Sequence, residues 1–136
     1  MALLEEIAAR LISQGVGIQG STASWSVFKG WEPEIPDQCI SIYETGGNPN
    51  QPHDGDLLDV PTFQLRVRGA NTSTGYPAAR TKIAAARTAI EGMTAGLFSN
   101  RYYCQVTANH EALSLGHDAT HRPRLVINFT ALRSRN

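Results

Sequence analysis

The sequence predicts an α+β fold: a mostly antiparallel sheet of about five strands with two helices on one face, in the order α-β-β-β-α-β-β. Three observations carry that expectation. Two segments hold apolar residues at helical spacing, five others alternate with a period of two, and no repeat or linker divides the chain. At 136 residues, one domain over 1–136 is the simplest organisation. A chain of that size buries roughly two-thirds of its unfolded surface without metals or disulfides.

Leu3, Leu4, Ile7, Ala8, Leu11 and Ile12 form one apolar stripe of a helix, which Gly15 and Gly17 end. "ASWSVFKGW", residues 23–31, reads as a short strand with Trp25, Val27 and Lys29 on one side. In "EPEIPDQ" the prolines at 33 and 36 exclude both helix and sheet interior. "CISIYE", 39–44, is a strand that Gly46 and Gly47 break, and a polar stretch then runs to about Leu58. "VPTFQLRVRG", 60–69, sets Phe63, Leu65 and Val67 on one face and Thr62, Gln64, Arg66 and Arg68 on the other.

From Asn71 the period changes to that of a helix, with Tyr76, Ala79, Ile83, Ala86 and Ile90 as a narrow stripe. Ser73 or Thr74 is the expected cap, Pro77 lies near the first turn, and Gly92 and Gly96 mark the end. "RYYCQVTA", 101–108, is a strand, "NHEALSLGHDATHRPR" a loop or bulged turn, and "LVINFTALRSRN" the closing strand. Alternating polar positions in 60–69 and 125–133 imply a second sheet face that meets water or a neighbouring subunit.

The 41% hydrophobic content fits a globular chain, and no apolar run approaches the roughly 18–20 residues of a membrane span. The start "MALLEEIAARLISQG" lacks a basic region and carries Glu5, Glu6 and Arg10, so it does not read as a signal peptide, and folding in a cytoplasm is expected. In that compartment Cys39 and Cys104 are small buried hydrophobes rather than a disulfide.

A net charge of zero hides an asymmetry. Between Glu32 and Asp59 lie seven acids (Glu32, Glu34, Asp37, Glu44, Asp54, Asp56 and Asp59) and no Lys or Arg, whereas from Val60 onward ten bases face three acids. Either the charges mix once the chain folds, or the surface has an acidic and a basic side suited to head-to-tail association of identical copies. In the second case Arg66, Arg68, Arg122, Arg124, Arg133 and Arg135 form a positive face that the 44–59 loop of a neighbour complements. The bases are not interleaved with aromatics, which disfavours sequence-specific nucleic-acid binding.

His110, Glu111, His117, Asp118 and His121 are the one cluster with metal-ligand chemistry. Their spacing matches no closed site, and a polar loop between strands explains them more simply. No Gly-x-Ser-x-Gly elbow is present, and "GGNPN" precedes neither a helix nor Gly-Lys-Ser/Thr. Asp54 and Asp56 read as a solvated loop. No catalytic residue, metal or cofactor is therefore assigned.

The order of motifs resembles the small minor capsid or tail terminator proteins of tailed bacteriophages. Its pieces are Phe28, Gly30, Pro33, Pro36 and Asp37, then "IYETGG", then "PTFQLRVRG", then Leu115, Gly116, Asp118 and Arg122, and together they span nearly the whole chain. The resemblance implies a structural virion protein made in the host bacterial cytoplasm, not an enzyme. It implies a homohexameric ring on the tail tube, with the major tail tube protein and a head-completion or neck protein as partners. It implies no membrane, and a lumen through which DNA passes. Loops over 45–58 and 110–122 would make the contacts, so Glu44, Thr45, Gly46, Gly47, Asp54, Asp56, Arg66, Arg68, His117, Asp118 and Arg122 are the interface candidates. The competing readings are a neck adaptor or stopper protein, and a metal-dependent hydrolase or binding module using 110–121.

Overall fold

The first apolar stripe folds as α1 (Leu3–Ser13) and buries Leu3, Ile7 and Leu11. In this computed structural model, residues 3–48, 58–99 and 101–134 are described. Seven strands and a second helix follow: β1 (Ser26–Lys29), β2 (Cys39–Asn48), β3 (Leu58–Arg68), α2 (Gly75–Glu91), β4 (Gly96–Phe98), β5 (Arg101–Ala108), β6 (Leu113–His117) and β7 (Pro123–Ser134). The sheet runs β1-β2-β3-β7-β5-β4, with β6 paired to β7 beyond the end of β5. Among the described strands only β1 and β2 pair in parallel.

Alternation decides which face is buried. Ile40 and Ile42 of β2, Phe63, Leu65 and Val67 of β3, and Leu125, Ile127, Phe129 and Ala131 of β7 point to one side, where α1 and α2 close over them in a single core. Phe63 and Phe129 are register partners and stack at 5.1 Å. Each such side chain contributes about 1.5–3 kcal/mol on burial. From α2, Ala79, Ile83, Ala86 and Ile90 join the core, their small neighbours letting the helix lie close to the sheet. Tyr76, expected in that stripe, is 44% exposed. Thr74 stands at the N-cap, yet its hydroxyl makes no capping bond.

The elements the sequence concealed are β4 and β6. β4 has three residues, too few to show a period. All five residues of β6 are exposed, and β7 holds them through backbone pairing, so no buried face betrays the strand. β2 does not stop at Glu44: a bulge lies between Glu44 and Gly47, after which Gly47 pairs with Pro61 and Asn48 with Val60. Gly47 has φ +128, and a Cβ there would stand 2.4 Å from the Val60 carbonyl oxygen, so only glycine fits.

The second face of the sheet is covered at one end. Ser41, Cys39 and Arg68 share that face and are buried, and Phe28, the partner of Ser41, packs edge-on against Trp31 at 5.7 Å. Burial pushes the Cys39 thiol above its ordinary value, as expected of an inert core thiol, while Cys104 is half-buried and free. The cover is the proline-bearing stretch of residues 31–38, which enters neither helix nor strand.

Candidate functional site

Arginines organise the covered end. Arg68, expected to face solvent from the outer side of β3, is only 2% exposed. Its guanidinium donates to the backbone carbonyls of Asp37 (2.9 Å), Pro36 (2.7 Å) and Glu34 (3.4 Å) and lies 3.8 Å from the Glu32 carboxylate. Alternation correctly put the side chain on the outer face, but a loop from earlier in the chain lies over that face.

Arg122, also buried, works from the other side. It donates to the Glu34 carbonyl at 2.5 Å and to the carboxylates of Asp118 (2.8 Å), Asp37 (3.2 Å) and Glu34 (3.2 Å). Asp118 caps the β6–β7 turn by accepting from the backbone N–H groups of Thr120 and Arg122 and from the Thr120 hydroxyl. Partial burial opposes its ionisation, but those bonds and the Arg122 charge hold its carboxyl down to about 2. Arg124 lies 3.5 Å from Glu32. Three acids from the acidic stretch of the chain thus meet three arginines of the basic part within one molecule, and the charges mix in space.

Arg133 corrects the expected positive face in a second way. It continues the inward register of Ile127, Phe129 and Ala131, and lies 2.9 Å from Glu6 and 3.3 Å from Asp59. Glu6 also accepts from the Tyr103 hydroxyl, with Arg101 at 3.9 Å. Burial, then the bond to Glu6, pushes the Tyr103 phenol well above its ordinary value. This buried cluster ties α1 to β5, β7 and the start of β3.

At the opposite end of β2, Glu44, Thr45, Gly46 and Gly47 are exposed, and the Thr45 hydroxyl donates to that of Thr62 at 2.7 Å. Asp54, Asp56 and Arg135 lie outside the described residues. Arg66 is half-buried, with its guanidinium 5.1 Å over the Tyr43 ring and a bond to Gln64.

The histidines are not brought together. His110 contacts the Glu111 carbonyl through Nδ1, and its Nε2 accepts from the Asn128 backbone N–H. His117 and His121 are exposed, Glu111 pairs with Arg87, and Asp118 is engaged by Arg122. Among the described residues no group of three or more His, Cys, Asp or Glu side chains gathers at metal-binding distance.

Sequence reasoning missed the apolar side chains left in water by the covering loop. Trp31 is 58% and Ile35 67% exposed. The available signal was large apolar residues beside Pro33 and Pro36, in a stretch that cannot carry them into the sheet.

A family profile described as "Bacteriophage tail terminator protein" matches residues 10–135. Among solved structures, a chain from "Virion of native gene transfer agent (GTA) particle" shares the fold, with a TM-score of 0.64, 14% identity, and coverage of 98% of this chain and 95% of that one. No curated protein matches by sequence.

Proposed function

Because the chain belongs to the bacteriophage tail terminator family, a structural component of the virion tail, we propose that it assembles as a six-membered ring on the completed tail tube. The ring ends polymerisation of the tube protein and offers the surface on which the filled head docks. The observation that carries this reading is the family match, which extends over residues 10–135 and so includes every strand of the sheet.

Both ends of the sheet contribute contacts to the ring. The bulged end, with Glu44, Thr45, Gly46 and Gly47, faces one partner, and the β6–β7 turn with His117 faces another. Arg66 contributes a half-exposed charge between them. Arg68, Asp118 and Arg122 act indirectly, holding the loop and turn that make contact. The partners are further copies of the chain, the tube protein and a neck protein, and the role is structural rather than enzymatic.

The test is electron microscopy of tubes grown from the cognate tube protein with and without this chain. Expected are six-fold rings at tube ends and arrested growth at one ring per tube. Tubes that keep lengthening in saturating protein would sink the proposal.

A further inference from the structure

The loop held by Arg68 and Arg122 presents its apolar residues to solvent. Three of its backbone carbonyls, those of Glu34, Pro36 and Asp37, accept from these two buried guanidinium groups. Such bonds restrict the loop before any partner arrives, which lowers the ordering cost of binding. Ile35 projects 67% exposed, and the side chains of Glu34 and Asp37 on either side are 83% and 59% exposed. The result is a fixed apolar knob between two carboxylates, each of which contacts Arg122 at 3.2 Å and keeps its outer side in water.

A hollow lies between α2 and residues 111–112. It measures about 100 Å³, with Ile83, Ala84, Ala112 and Ile127 as its apolar lining and Arg80, Arg87 and Glu111 around them. Arg87 is already paired, with Glu91 at 3.2 Å and Glu111 at 2.9 Å. Arg80 donates to the Ala112 carbonyl at 3.4 Å, and no carboxylate among the described residues lies within ion-pair range of it. The hollow is smaller than the roughly 150 Å³ that accepts a benzene ring, which suits a single branched aliphatic side chain.

We infer that the Ile35 loop of one copy seats in the α2 hollow of the next, with Ile35 on the apolar lining and Glu34 and Asp37 facing Arg80. Knob and hollow are different surfaces of one chain, so the contact is heterologous and repeats head to tail, as a closed ring requires. The inference rests on the ring reading above and names the contact that builds the ring. Charge sense orients the docking, and the seated aliphatic group supplies the anchor.

Ile35→Ser and Arg80→Glu, both at exposed positions, are compared with the wild-type full chain by light scattering and by ring counts on tube ends. Each variant keeps the wild-type melting temperature within a few degrees. Each raises the concentration for half-assembly at least about tenfold, the effect of losing about 1.4 kcal/mol. Mild oxidation of the double variant Ile35→Cys, Ala84→Cys gives a covalent ladder that ends at the closed ring, while each single variant stops at dimers. Rings that form at wild-type concentration in both Ile35→Ser and Arg80→Glu, with no ladder from the cysteine pair, overturn the contact and leave the ring standing. Failure of the wild-type chain to form rings, alone or on tube ends, overturns both.

Discussion

Glu6 offers the sharpest test of how this fold is held. Its carboxylate is fully buried, accepts from Arg133 at 2.9 Å and from the Tyr103 hydroxyl, and has Arg101 at 3.9 Å. Glu6→Gln preserves the shape and removes the charge, leaving Arg133 to the partly exposed Asp59. Removing one partner of a buried pair costs about 3–5 kcal/mol, and the surviving Asp59 contact puts this case at about 3 kcal/mol. A chain of 136 residues unfolds with an entropy of about 0.29 kcal/mol/K, so the melting temperature should fall by about 10 °C. Circular dichroism melts of Glu6→Gln beside the exposed control Glu5→Gln decide the matter. The control should move by less than about 2 °C, the usual range for a surface change. A Glu6→Gln shift no larger than that of the control would refute the reasoning. The double variant Glu6→Leu, Arg133→Met should recover much of the loss, because an apolar pair of similar volume avoids the desolvation of both charges.

Three further outcomes follow from the other sites. Gly47→Ala should lose at least about 2 kcal/mol in denaturant titrations, because its Cβ meets backbone at 2.4 Å; Gly46→Ala, with φ +95 but open space around it, should lose about 1 kcal/mol. Asp118 has a folded value of about 2 against an ordinary 3.8, so its stabilisation is complete above pH 3.8 and disappears as pH falls toward 2. It amounts to about 2 kcal/mol at most, and Asp118→Asn should remove that part of the acid-unfolding slope. Arg66→Glu should give a folded protein that has lost about 0.5–1 kcal/mol with its contact to Tyr43, whereas Arg68→Glu, which buries a carboxylate against three carbonyls, should fail to fold in the same thermal assay.

Periodicity made most of the fold legible. The stripe Leu3, Ile7, Leu11 and the alternation Phe63, Leu65, Val67 report burial on one face, and the core uses those residues. β6 was hidden because backbone pairing needs no buried side chain, and β4 because three residues cannot alternate. The bulge after Glu44 is written in Gly46 and Gly47, yet a glycine pair reads equally as a stop or as a bend within a continuing strand. The interface candidates depended on which charges stay free, and that is a tertiary property. Arg68 and Arg124 meet Glu32 across more than thirty residues of chain, and nothing local foretells it. The exposed Ile35 became readable only once the loop over the second sheet face was seen.

That internal pairing also restricts how the chain can associate. Had Arg68, Arg122, Arg124 and Arg133 been free, copies would attract one another through a broad basic face, in any register that brought opposite charges near. The fold instead neutralises them against Glu6, Glu32, Glu34, Asp37, Asp59 and Asp118 of the same molecule. A chain of zero net charge with its arginines so engaged has little long-range drive to associate. Association must then depend on short-range fit, which tolerates one geometry and rejects its neighbours. A ring of fixed size needs that selectivity, because a small angular error at each contact leaves an open spiral instead of a closed circle. The buried arginines serve this requirement by holding a loop and a turn in one position, so that the side chains those segments present meet a partner at one angle.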